Sequence, residues 1–193
     1  MISGSPTLYC ALTSTPTSPT TRLVRDAVIV LTGTLLIALS ARIQVPMWPV
    51  PMTMQTLAIL MIAMSVGARL ATITLGVYLA QGALGLPVFA SGGGIAYFAG
   101  PTAGFLWGFL AAATVTGWLA DRGFARTFPG AFAVALVGSL TIYVIGAGYL
   151  GLAMGFGPAI EVAVLPFLLS DLVKAVLVAL LLTTAHNVIS QRR

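Results

Sequence analysis

The chain has 193 residues, of which 59% are hydrophobic and only 7% are charged, and its mean hydropathy is +1.05. This composition excludes a soluble globular domain and predicts an all-α, polytopic integral membrane protein. The net charge of +5 does not indicate nucleic-acid binding, because the arginines stand at the ends of hydrophobic runs, where they set orientation.

The chain begins with a polar segment and continues as one membrane domain. Residues 1–21 are rich in Ser, Thr and Pro, and we expect them to form a disordered tail. Residues 22–193 are expected to form a bundle of six transmembrane helices. The hydrophobic segments are 23–43, 54–66, 68–86, 102–120, 130–154 and 162–189. A Pro-rich connection (VPMWPVPMT), a Gly-rich loop (PVFASGGGIAYFAGP) and a turn at 157–161 join them on one side.

Arginine placement predicts the orientation of these segments. If successive helices alternate in direction, all but one of the arginines fall on the same side of the membrane. The arginines of that side are Arg22, Arg25, Arg69, Arg122, Arg126, Arg192 and Arg193. The positive-inside rule then puts both termini in the cytoplasm. Arg42 alone lies outside, where it would attract an anionic ligand or bind lipid headgroups.

Two ionisable residues, Asp171 and Lys174, stand three apart inside the last hydrophobic segment. Charges are costly in hydrocarbon, so an intramembrane pair is a hypothesis about a functional site. They share one helix face and can neutralise each other. The plainer interpretation is a salt bridge that only makes insertion tolerable. The functional one is that Asp171 accepts N–H donors while Lys174 meets an anionic group.

With this orientation the last segment descends from the outer side, so Asp171 is expected in the outer half of the bundle, and further candidates for ligand binding lie at a similar depth. Gln81 and Gln55 can each donate and accept, which suits an amide- or urea-like group, although helix–helix hydrogen bonds would use them equally well. Aromatic residues of the two outer loops are either interfacial anchors or a wall and lid over an apolar ligand. They are Trp48, Phe89, Tyr97 and Phe98. Gly93 belongs to a triple glycine that permits close backbone approach.

Three small residues of the first segment, Thr34, Ala38 and Ala41, allow another helix to pack closely. That helix belongs either to this chain or to a partner protein. His186 is expected to be an interfacial histidine, with no Cys, Asp or Glu nearby to complete a metal site. No Walker A, HExxH or GxSxG motif is present, so neither ATP hydrolysis nor another catalytic activity is expected of this chain.

Four stretches together resemble the BioY family, the biotin-specific substrate-binding (S) component of energy-coupling factor (ECF) transporters. They are VPMTMQTL (50–57), YLAQGALGLPVFASGGG (78–94), AGPTAGFLWGF (99–109) and SDLVKA (170–175). The resemblance implies a six-helix protein of the cytoplasmic (inner) membrane of a prokaryote that captures biotin from outside. It requires no cofactor, since biotin is the transported ligand.

The resemblance also implies partners and residue roles. A transmembrane coupling protein and two ATPase subunits would drive transport, or the chain would self-associate if it acts alone. Membrane lipid surrounds the bundle, and the small residues of the first segment become candidates for docking. By chemistry, Asp171 and Gln81 address the ureido ring and Lys174 a biotin oxygen. The alternatives are an S component for another vitamin, an integral membrane enzyme, and a structural subunit with no ligand.

Overall fold

The computed structural model describes residues 7–9 and 18–191. In the second of these ranges the chain forms seven α-helices. They are α1 (Pro19–Arg42), α2 (Gln55–Val66), α3 (Ala68–Ala83), α4 (Ala103–Asp121), α5 (Phe128–Met154), α6 (Phe156–Ala163) and α7 (Leu165–Gln191). Four of them, α1, α4, α5 and α7, are long and apolar enough to cross a membrane by length and composition. The prediction of an all-helical, multi-pass membrane protein is confirmed at this level.

The connections contain structure that the sequence did not predict. In the Pro-rich connection, β1 (Gln44–Val45) pairs antiparallel with β2 (Met52–Thr53). The Gly-rich loop contains a 3₁₀ helix over Ile95–Ala99. The predicted turn at 157–161 is wrong, because α6 runs through it. Gly155, at a φ of +91°, ends α5 and starts α6. The proline that follows lies in the first turn of α6, where a missing N–H costs no helical hydrogen bond.

Helix α4 is the centre of the bundle. It packs along α5 and also contacts α2 and α3, while α7 packs on α5 and α2, and α1 packs on α3. One buried cluster gathers large side chains, among them Tyr78, Phe89 and Phe167. The other is rich in alanine and includes Ala135, Ala175 and several more. The bulky cluster contributes most of the apolar lining of the cavity described below.

Many leucine and valine side chains point out of the bundle. On α1 the outward face includes Leu23, Leu31 and Leu35, each at least 58% exposed. On α5 and α7 Val144 and Leu169 are 66% and 74% exposed. Soluble monomers rarely expose such contiguous apolar surface. The pattern fits helices that face lipid.

Part of the predicted N-terminal tail contacts the bundle. Leu8 packs against the alanine-rich cluster, and the Tyr9 hydroxyl donates to Asp26 Oδ1 of α1 at 2.8 Å. Residues 1–6 and 10–17 lie outside the described residues, as do Arg192 and Arg193 of the orientation argument. Helix α1 begins at Pro19, three residues before the expected start of the membrane domain.

Gly82 of α3 allows the Phe89 ring to pack directly on the helix. A Cβ at Gly82 would lie 2.0 Å from the ring of Phe89. Phe89 is 1% exposed and is surrounded by other rings, with centroid distances of 5.5 Å to Tyr78 and 4.9 Å to Tyr97. The loop that follows α3 is therefore anchored to the bundle through Phe89.

We expect Gly82→Ala to expel the Phe89 ring and to destabilise the protein by about 1–3 kcal/mol, as overpacking of a filled core does. Gly76→Ala is the matched control on the same helix, because a Cβ there meets nothing within 4 Å. Thermal unfolding in detergent should show a lower Tm for Gly82→Ala and an unchanged or slightly higher one for Gly76→Ala. Equal Tm values for the two variants would contradict this account of the Phe89 anchor.

Candidate functional site

The ion pair between Asp171 and Lys174 lies inside the bundle. Lys174 Nζ is 2.7 Å from Asp171 Oδ1, and the two residues are 4% and 5% exposed respectively. Lys174 also donates to the backbone carbonyl of Thr53 at 2.9 Å and to Thr56 Oγ1 at 3.1 Å. All three N–H donors of the ammonium are thus in use.

The carboxylate of Asp171 keeps more free capacity than the ammonium. Its Oδ2 accepts from the Tyr143 hydroxyl at 2.5 Å, and its Oδ1 accepts from Lys174 and, at 3.4 Å, from Thr56 Oγ1. A carboxylate offers about four lone pairs, so at least one remains for another donor. The pair therefore presents an acceptor to a ligand more readily than it presents a cation.

Three elements position these groups. Asp171 and Lys174 share one face of α7 because they stand three residues apart. Packing of α5 along α7 brings Tyr143 to the carboxylate. Thr56 is the second residue of α2, so the carboxylate lies at a helix N-terminus, where the helix dipole favours negative charge.

An apolar cavity ends at the ion pair. The space between atoms is about 580 Å³, with the open space at its mouth included. Polar groups come from Thr53, Gln55, Thr56, Tyr143 and the ion pair. The remaining lining is mostly apolar and aromatic, and includes Val50, Phe89, Tyr97, Phe105, Phe109, Ile142 and Phe167. The arrangement suits a small, mostly apolar ligand with one strongly hydrogen-bonding end.

A wider outer cavity adjoins this one. Its lining comes from the Pro-rich connection and the Gly-rich loop, and includes Gln44, Trp48, Ser91 and Gly93. Pro51, Tyr97 and Thr102 line both cavities. These three residues therefore lie at the boundary between the outer cavity and the inner one.

Comparison with known proteins identifies the family. The family model described as the BioY family matches residues 12–191. The chain belongs to the BioY family. Among its relatives, the biotin transporter BioY of Thermotoga maritima is 37% identical over 77% of this chain and 88% of its own length. The probable biotin transporter BioY of Pyrococcus horikoshii is 38% identical over 72% and 83%, respectively.

A third relative, the biotin transporter BioY of Rhizobium etli, is 39% identical over 69% of this chain and 76% of its own length. All three are named as transporters and none as an enzyme. The fold also matches a solved structure, the S-component for biotin from an ECF-type ABC transporter, with a TM-score of 0.77 at 23% identity. That match covers 88% of this chain and 95% of the other.

The structure of this BioY protein brings together most of the predicted ligand residues. Asp171, Lys174, Gln55, Phe89 and Tyr97 all line the inner cavity. Their roles in binding remain predictions, but their proximity supports a common site.

Trp48, Gly93 and Gln81 lie elsewhere. Trp48 and Gly93 line the outer cavity, and Trp48 is 82% exposed. A Cβ at Gly93 would lie 2.1 Å from the carbonyl oxygen of Leu86, so glycine there permits close backbone packing. Gln81 is half-buried on α3 and lines neither cavity, because the Tyr78 and Gly82 face of α3 is the one turned inward.

The predicted docking residues lie largely inside the bundle. Thr34 and Ala41 are 2% and 0% exposed, and Ala38 is half-buried. Helix α1 packs against α3 and α2, and a Cβ at Gly33, next to Thr34, would come within 2.7 Å of the Thr74 side chain of α3. Small residues here serve close packing within the chain. Thr34 and Ala41 are buried in this structure, and a role of these residues in docking stays a prediction.

Arg42 and His186, both considered in the sequence analysis, lie against backbone carbonyls of this chain. Arg42 donates to the carbonyl of Pro87, and Gln44 Nε2 donates to the carbonyl of Ala90 at 3.4 Å. These bonds tie the end of α1 and β1 to the loop that carries Phe89. His186 Nδ1 lies 3.0 Å from the carbonyl of Leu182 in its own helix.

Tyr143, Thr53 and Thr56 are the site residues that sequence reasoning missed. Tyr143 is one of two tyrosines in the apolar helix α5, and its position relative to Asp171 depends on how α5 packs on α7. Thr56 adjoins Gln55, and that adjacency was the available signal. Thr53 accepts from Lys174 through its backbone carbonyl, which no sequence pattern reveals, and its hydroxyl donates to Gln55.

We expect Lys174→Met to destabilise the protein by about 3–5 kcal/mol, because it leaves the Asp171 carboxylate buried without a counterion. The double variant Asp171→Asn, Lys174→Met should regain most of that loss, since neither charge remains. Unfolding in detergent measures both. Asp26→Asn is the control, because the Asp26–Arg25 pair on α1 is partly exposed and should contribute less than about 1 kcal/mol. Additive losses in the double variant would contradict the coupling of the two charges.

Proposed function

We propose that this protein captures biotin from the outer side of the membrane and carries it inward as the S component of an ECF-type transporter. The observation that supports this most is the inner cavity, which combines a buried hydrogen-bonding end with an apolar aromatic body. Biotin has a ureido group, an apolar thiophane ring and a flexible carboxylate chain. The names of the relatives and the fold match agree with this function.

The hydrogen-bonding capacity of the site favours one orientation of biotin. The ureido N–H groups would donate to Asp171, whose carboxylate has a lone pair to spare. Lys174 already uses all three donors, so a carboxylate at that end would have to displace Thr53 or Thr56. The thiophane ring would lie among Phe89, Phe105 and neighbouring rings, and the carboxylate chain would point to the outer cavity.

The topology we propose has six membrane crossings, made by α1 to α5 and α7, with both termini in the cytoplasm. The short helices α2 and α3 cross together with longer neighbours that shield them, as their packing on α4 permits. Helix α6 would lie at the outer end without crossing. The arginines at the start of α1 and the end of α4 support this orientation. The membrane is then the cytoplasmic membrane of a prokaryote.

The partners we propose are a transmembrane coupling protein and two ATPase subunits, or further copies of this chain if it acts alone. No Walker A motif is present in this sequence, so ATP hydrolysis would take place in a partner. A cationic vitamin such as thiamine suits the cavity poorly, because Asp171 is already neutralised by Lys174.

The function is tested by binding of labelled biotin to the purified protein. We expect the wild type to retain biotin through gel filtration and the double variant Asp171→Asn, Lys174→Met to lose it by at least about a hundredfold while staying folded. Labelled thiamine is the control ligand. A wild type that binds no biotin would overturn the proposal.

The orientation is tested by competition with two analogues. Biotin amide, altered only at the carboxylate, should compete within about tenfold of biotin, because its altered group points to the outer cavity. Biotin methylated on a ureido nitrogen lacks one of the N–H donors, so it should compete far more weakly. The opposite ranking would mean that the carboxylate meets Lys174.

A further inference from the structure

A buried chain of hydrogen bonds links the inner cavity to the loop that carries Phe89. Gln55 Nε2 donates to the Tyr78 hydroxyl at 2.8 Å, and the Tyr78 hydroxyl donates to the carbonyl of Val88 at 3.0 Å. At the other end of the amide, Thr53 Oγ1 donates to Gln55 Oε1 at 3.2 Å. Gln55 is 4% and Tyr78 0% exposed.

The direction of this chain follows from which groups can donate. The carbonyl of Val88 can only accept, so it takes the single hydrogen of the Tyr78 hydroxyl. That hydroxyl must then accept from Gln55, and only the nitrogen of the amide can donate to it. Tyr78 therefore determines which end of the Gln55 amide faces it. One N–H and one lone pair of the amide remain for other partners.

Gln55 lines the cavity, whereas Tyr78 does not. The ring of Tyr78 packs edge-on against Phe89, one residue after the carbonyl that its hydroxyl holds. Tyr78 thus contacts both a polar group that faces the ligand space and the segment that forms one wall of it. In this chain of hydrogen bonds the Tyr78 hydroxyl is the group that connects the Gln55 amide to the Val88 carbonyl.

We propose that Tyr78 is a positioning residue for ligand retention. It holds the Gln55 amide in the orientation that a urea-like group needs, and it couples that amide to closure of the Phe89 loop. This inference rests on the proposed function, because biotin is the ligand used to test it. It assigns Tyr78 no direct contact with biotin.

The first experiment compares Tyr78→Phe with Thr74→Val. Both changes remove one buried hydroxyl from α3, but that of Thr74 bonds only the carbonyl of Leu70 in its own helix, at 2.8 Å. Tyr78→Phe keeps the ring and its packing on Phe89, so the protein should remain folded. We expect biotin to dissociate about three to ten times faster from Tyr78→Phe and at the wild-type rate from Thr74→Val.

The second experiment separates positioning from plain destabilisation. In a Cys10→Ser background, Ser91→Cys places a thiol on the exposed part of the loop, and its labelling rate reports loop opening. Biotin should slow labelling when Tyr78 is present and should slow it much less in Tyr78→Phe. A merely structural loss would speed labelling equally with and without biotin, and that result would overturn the inference.

A third experiment distinguishes a failure of this inference from a failure of the proposed function. If Gln55→Met is introduced first, Tyr78→Phe should speed dissociation by a smaller factor than it does in the wild type, because only the bond to the Val88 carbonyl remains to be lost. Independent, additive effects would overturn the inference while leaving the proposed function intact. A wild type that neither binds biotin nor is protected by it would overturn both.

Discussion

The buried ion pair between Asp171 and Lys174 is the constraint on which the rest of the site depends. Two charges in a helix surrounded by apolar residues are tolerable only if they are paired and hydrogen-bonded. Here the partners come from α5, from β2 and from the first turn of α2. The hydrogen bonds to the ion pair therefore fix the positions of α5, β2 and α2 relative to one another. The cavity is the space between these elements, with the ion pair at one end.

Thr53 joins the two polar networks of the site. Its carbonyl accepts from Lys174, and its hydroxyl donates to Gln55, which continues through Tyr78 to the Phe89 loop. The groups that would meet a ligand are thus held by protein partners before the ligand arrives. Such preorganisation lowers the ordering cost of binding. The same hydrogen bonds hold the polar groups together at one end of a cavity whose walls are otherwise mostly apolar.

The sequence predicted where the helices lie and pointed to the two charged residues as a candidate site, because both features depend on local properties of the chain. Hydrophobic runs report helices directly, and a charge inside such a run is unusual by composition alone. Contacts between segments were not accessible in this way. The predicted depth of Gln81 in the membrane does not specify which face of α3 carries its side chain. The small size of Thr34 and Ala41 suits close packing within the bundle as well as it suits packing against a partner protein. Tyr143 became visible only through the packing of α5 on α7.

The outer cavity has a consequence for the rate at which an anionic ligand arrives. The residues that line it are all uncharged, while Arg42, two residues before the lining residue Gln44, keeps its positive charge as it donates to the carbonyl of Pro87. Long-range attraction of an anion to this opening therefore depends on a single arginine. The association rate of an anionic ligand should fall only modestly as salt is added, because one charge is screened.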